Sequence, residues 1–164
     1  MKTLLVVRHA KSNWDNSSLD DFHRPLNERG EKDAPKMGKR LKERNLKPDL
    51  VLTSPAVRAF STAQAFAKIL DIPSTHIRTS PKLYHAGEQT LLDILKHCPD
   101  SASCIMVVGH NPGLTGFVND LLGEDIDNIP TTGIVMAQLN LLSWKDAEWK
   151  CGKLLFFDFP KLKN

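Results

Sequence analysis

Cysteine is scarce in this chain. Cys98, Cys104 and Cys151 are the only three thiols, and they show neither a CxxC pair nor a Cys/His metal-ligand spacing. Their scarcity excludes a disulfide framework and points to idle thiols in a reducing compartment, with the cytoplasm as the expected location. Long apolar runs are also lacking. The N-terminal run "TLLVV" (Thr3 to Val7) is far shorter than the roughly 20 residues a membrane span needs, and no signal-peptide pattern surrounds it. No membrane partner is expected. Nor is there a dense basic run interleaved with aromatics, and the net charge is only +3, so nucleic acid is not expected as a ligand. The basic residues of "KMGKRLKERNLK" (Lys36 to Lys47) read as the solvated face of a helix. Repeats, low-complexity tracts and linkers are missing too. With 164 residues, 41% of them hydrophobic, the sequence reads as one domain over 1–164 with one sizeable core.

What is present is an alternation of strand-like and helix-like segments, which argues for a layered α/β fold with a mostly parallel sheet. "TLLVV", "DLVLT" and "CIMVV" read as buried strands, because continuous runs of this kind mark strands covered on both faces. A polar loop follows the first strand, and a helix is expected from about Glu31 to Arg44. Pro35 should lie in its first turn, since a deeper proline would break it. Ser54-Pro55 reads as a helix N-cap and first position, and Asn111-Pro112 repeats that pattern. "HIRTSPKLY" gives a short strand and "EQTLLDILKHC" a helix. "TGIVMAQLNLL" and "KLLFFDF" are expected to pair antiparallel at one side of the sheet.

Two of the buried strands deliver a histidine to their far end: "LLVVRHAKS" (Leu4 to Ser12) and "IMVVGHNPG" (Ile105 to Gly113). Ligands of open α/β sheets bind beyond the carboxyl ends of parallel strands. If the three core strands are neighbours, Arg8, His9, Ser54, Arg58 and His110 converge there, with two helix N-termini. Two guanidinium groups and two imidazoles with few carboxylates nearby suit a dianionic phosphoryl group, because arginine's planar fork matches phosphate oxygens in pairs.

These stretches, with "LTSPAVRAFSTA" (Leu52 to Ala63) and "RPLNERG" (Arg24 to Gly30), resemble the histidine phosphatase superfamily over nearly the whole chain. The Arg-His-Ala triplet and the short length are most similar to its phosphohistidine phosphatase SixA subgroup. The resemblance implies a three-layer phosphoglycerate-mutase-like fold, with helices flanking a mostly parallel central sheet and an antiparallel strand near one side. It implies His9 as a nucleophile that becomes phosphohistidine, with Arg8, Arg58 and His110 around the transferred group. The backbone N–H of Asn111 is expected to add a donor, and Ser12 and Asn13 to touch substrate. No metal or cofactor is needed, since the arginines supply the charge.

Many family members also carry an acid that protonates the leaving oxygen, expected near "KLYHAGEQT" (Lys82 to Thr90). Glu88 is the only carboxylate there and suits a helix start, while His85 and His23 are the other histidines expected to border the pocket. Trp14 and Tyr84 are candidates for the mouth. A missing acid favours a phosphohistidine leaving group, which carries its own proton, so the expected partner is a histidine-phosphorylated protein. The alternatives are a small-molecule phosphomonoesterase acting on sugar or nucleotide phosphates and a non-catalytic phosphate-binding module. A chain this short also predicts a shallow, open pocket.

Overall fold

The computed structural model describes residues 1–162. In chain order the elements are β1 (Lys2–Arg8), α1 (Glu28–Glu43), β2 (Leu50–Thr53), α2 (Val57–Leu70), β3 (Ile77–Thr79), α3 (Glu88–Lys96), β4 (Cys104–Gly109), α4 (Gly113–Leu122), β5 (Ile134–Leu139) and β6 (Gly152–Asp158). The strands form one six-stranded sheet in the order β3–β2–β4–β1–β5–β6. β1, β2, β3 and β4 pair in parallel, whereas β5 runs antiparallel to both β1 and β6. The result is the three-layer α/β fold expected from the alternating pattern.

β1 shows why the apolar runs are unbroken. Leu4 and Val6 pack into the cluster that holds α3 and α4, while Leu5 and Val7 pack into the one that holds α1 and α2. A strand covered on both faces has no wet side on which to place polar residues.

Three helix starts differ from the sequence reading. α1 begins at Glu28 rather than Glu31, because Asn27 caps it: its side chain accepts the Gly30 N–H at 2.9 Å, and its own N–H donates to the Lys11 carbonyl at 2.9 Å. Pro35 consequently lies two turns inside α1, where it removes a backbone donor at a typical cost of about 3 kcal/mol. Burial of Met37 and Leu41 against α2 offsets that cost. Ser54 does not cap α2. Its N–H still extends the sheet, donating to Val108 at 3.0 Å, and the cap is Ala56. Asn111 likewise stands one residue before the Pro112 cap of α4, and its Oδ1 takes the Thr115 N–H at 3.1 Å.

α1 crosses the loop after β1 so closely that a Cβ on Gly30 would stand 2.2 Å from the Lys11 carbonyl oxygen. Neither partner is a flexible side chain. Gly30→Ala is therefore expected to destabilise the protein by on the order of 3 kcal/mol, measured by urea denaturation. An unchanged midpoint would show that this crossing tolerates separation.

Candidate active site

The register sets Arg8 beside Gly109 and Thr53 beside Val108, so the carboxyl ends of β1, β4 and β2 finish level at one edge of the sheet. Beyond that edge lies a cavity of about 390 Å³ lined by Arg8, His9, Arg58 and His110 among others. The structure thus brings together the four residues that the sequence reading placed around a phosphoryl group.

His9 is 8% exposed, and its Nδ1 lies 2.7 Å from the Ala10 carbonyl oxygen. A carbonyl only accepts, so Nδ1 carries the proton and Nε2 keeps a free lone pair. The Ala10 N–H donates to the Thr62 hydroxyl at 2.9 Å, and that hydroxyl donates to the Arg58 carbonyl at 2.8 Å. Thr62 therefore ties the His9 turn to the helix that carries Arg58. Burial pushes the His9 imidazole down to about 4. Arg58, Arg8 and Arg24 add to that fall, and the Ala10 hydrogen bond opposes it.

His110 is pinned from two sides. Its Nδ1 lies 3.4 Å from a guanidinium nitrogen of Arg58, which can only donate, and its Nε2 lies 2.8 Å from the Ser54 hydroxyl. Ser54 thus fixes an imidazole instead of capping a helix. Burial pushes His110 down to about 3, assisted by His9, Arg58 and His85 and opposed by Asp21. The two rings lie 5.2 Å apart, both neutral at neutral pH.

Both arginines hold donors in reserve. Arg58 is 2% exposed, and Arg8 donates through Nη1 to the Ile129 carbonyl at 3.0 Å. The Nε–H of each is buried and has no partner among the described residues. A buried unpaired donor costs about 1–3 kcal/mol.

The sequence reading expected few carboxylates here, and Asp21 corrects it. This residue opens a single 3-10 turn, Asp21–His23. Its carboxylate accepts from the Tyr84 hydroxyl at 2.5 Å, from Arg24 at 2.9 Å, from Arg58 at 3.0 Å and from His85 Nε2 at 3.0 Å. Burial alone would raise its pKa, but the hydrogen bonds from Tyr84, Arg24, His85 and Arg58 hold it far below the usual carboxylate range. Arg24, also missed, is 7% exposed; it donates to the Ser12 hydroxyl at 2.6 Å and stacks on the Trp14 ring at 3.4 Å. The signal that could have found both is their three-residue spacing before Pro25, which suits an ion pair on one turn.

The remaining expectations divide. Ser12, Asn111, His85 and Trp14 line the cavity, and Trp14 is 75% exposed at its rim. Asn111 uses its side chain on Asn128, Ile129 and Thr115, and its backbone N–H donates to no carbonyl among the described residues. Asn13 does not line the cavity; its Oδ1 accepts the Asp15 N–H at 2.7 Å, a local turn that holds the side chain. His23 does not line it either and is paired with Asp20. Glu88 opens α3 and lines a separate small cavity, its carboxylate packed against α4 at Gly116.

The two low imidazole pKa values set a pH dependence of stability. Between pH 6.5 and about 4 the unfolded chain binds a proton at position 9 that the folded site refuses, so stability falls as pH drops through that window and levels off below it. The loss for His9 is about 3 kcal/mol, and His110 extends the decline to about pH 3. Urea midpoints measured from pH 7 to pH 4 should fall less steeply in His9→Gln than in wild type, and equal slopes would contradict the burial argument.

A level row of strand ends, two arginine forks and two neutral imidazoles define an α/β protein built for phosphoryl chemistry. The comparisons agree with that class. The model of the histidine phosphatase superfamily (branch 1) matches residues 4–84. An uncharacterised protein of Mycobacterium tuberculosis is 30% identical over 165 residues, which is 94% of this chain and 100% of that one. Among solved structures, a candidate phosphohistidine phosphatase SixA from Agrobacterium tumefaciens superposes with a TM-score of 0.83 at 27% identity, covering 97% of this chain and 98% of the other. A protein histidine phosphatase SixA complexed with tungstate has the same fold, with a TM-score of 0.78 at 22% identity over 96% of each chain. The chain belongs to the histidine phosphatase superfamily, and its fold is similar to that of the SixA proteins.

Proposed function

We propose that this protein is a metal-independent phosphatase that dephosphorylates phosphohistidine on a protein, through a phosphohistidine of its own at His9. The observation that carries the reading is the His9 ring: Nδ1 is committed to Ala10, the pKa is low, and Nε2 is left as a lone-pair donor at the floor of a cationic cavity. In the first step Nε2 forms the bond to phosphorus while the bond to the substrate nitrogen breaks and that imidazole departs. In the second, water attacks the phosphorus and inorganic phosphate leaves. Arg8 and Arg58 line the cavity and bring their guanidinium charge to the phosphoryl oxygens, His110 stands across the same group, and Asn111 N–H and Ser12 Oγ border it.

The protein substrate is supported by the likeness to the SixA-type chain and by an open rim, where Lys11 and Trp14 are exposed. Free thiols at Cys98, Cys104 and Cys151 suit the cytoplasm. The test compares kcat/KM for a histidine-phosphorylated protein with that for sugar phosphates, with and without a chelator. The phosphoprotein should be preferred by about tenfold or more, a difference of about 1.4 kcal/mol in transition-state binding. A preferred sugar phosphate, or activity lost with chelation, overturns the assignment.

A further inference from the structure

We infer that His85 is a catalytic acid–base residue whose Nδ1 protonates the leaving atom, which extends the substrate range of this site to phosphate monoesters with oxygen leaving groups. The inference rests on the His9 reading given above. An alkoxide or phenoxide leaves poorly unless it takes a proton as the bond to phosphorus breaks, so a site that cleaves such esters needs a donor at the mouth.

Four other groups near the phosphoryl position are already committed elsewhere. Asp21 is held ionised by four donors and has no proton to give. The Tyr84 hydroxyl is committed to Asp21. His110 is neutral and held between Arg58 and Ser54. Glu88 lies in the neighbouring cavity, against α4.

His85 has what they lack. It lines the same cavity as His9 and Arg58, and its ring lies 5.0 Å from the His110 ring and 4.2 Å from that of Tyr84. Its Nε2 lies 3.0 Å from Asp21 Oδ2. Because a carboxylate only accepts, Nε2 carries a proton in every state of the ring, and Nδ1 is the position that exchanges. Asp21 thus holds Nε2 and fixes the orientation of the ring. The backbone at His85 adopts φ +54, a left-handed conformation that costs a non-glycine residue roughly 1–2 kcal/mol and is enriched at functional sites. With an ester bound, the P–O bond breaks as His9 Nε2 bonds to phosphorus, and the Nδ1 proton passes to the departing oxygen. Nδ1 then takes a proton from the water that attacks phosphohistidine, which restores the starting state.

The experiment compares 4-nitrophenyl phosphate, whose leaving group needs little help, with phenyl phosphate, whose leaving group has a pKa near 10. The variant is His85→Asn, because asparagine tolerates the left-handed backbone. On phenyl phosphate kcat/KM should fall by about 10²-fold, and on 4-nitrophenyl phosphate about tenfold less than that. Added imidazole should restore phenyl phosphate turnover to His85→Gly. Equal losses on the two esters, no restoration in a folded His85→Gly protein, or a wild type that cleaves only the nitrophenyl ester would each overturn the proposal. A wild type that never carries phosphate on His9 defeats the reading of His9 instead, and the two failures are told apart by mapping the label.

Discussion

Replacing His9 by alanine is expected to lower kcat on 4-nitrophenyl phosphate by about 10⁵-fold or more, the scale on which removal of a covalent nucleophile acts. The reason is geometric. Nε2 of His9 has no protein donor, and the other nitrogen of its ring is committed to Ala10 at 2.7 Å, which orients the lone pair. His110 cannot replace it, since Arg58 and Ser54 occupy its two nitrogens. The variant should fold, since alanine removes a ring without leaving a buried charge: at neutral pH that ring is uncharged. The direct check is a quench without acid, followed by mass mapping of the phosphate. Wild type should carry it on His9 and His9→Ala nowhere. Phosphate found on Ser54 or Cys98 would overturn the mechanism.

The strands and their ends were legible because burial on both faces leaves a clear trace: "LLVV" and "IMVV" have no polar position, and Arg8 and His110 stand where the apolar run stops. Ser54 and Asn111 were misread for a related reason. Their local sequence is that of a helix cap, but the Ser54 hydroxyl is taken by His110, and Asn111 is drawn toward Ile129. Such tertiary uses override a local preference worth about 1 kcal/mol. Asp21 and Arg24 left only the trace of a three-residue spacing that suits an ion pair, and nothing local placed them at the site. They sit in a polar loop without periodicity, and Asp21 reaches the site because Arg58, Tyr84 and His85, far along the chain, close around it.

Arg58 carries the second large expected effect, and the Arg58→Lys variant isolates it. The side chain is 2% exposed and does three things at once: Nη1 and Nη2 hold the Asp21 backbone carbonyl and carboxylate at 2.6 and 3.0 Å, Nη2 also faces His110 Nδ1, and the guanidinium lines the cavity. Lysine keeps the positive charge but has a single nitrogen on a flexible stem, so it cannot hold Asp21 and a phosphoryl oxygen together. Charge alone would predict near-normal activity for the lysine variant, whereas the fork geometry predicts little rescue. We expect kcat/KM to fall by about 10²–10³-fold in both Arg58→Lys and Arg58→Ala, the cost typical of losing one preorganised donor to developing charge. Inorganic phosphate, titrated as an inhibitor, should weaken in parallel, because the same guanidinium lines the cavity that the ground-state anion would occupy. An Arg58→Lys enzyme that retains most of the wild-type kcat/KM would show that this site needs a cation and not a fork, and would remove the reason for Asp21 to stand beside it.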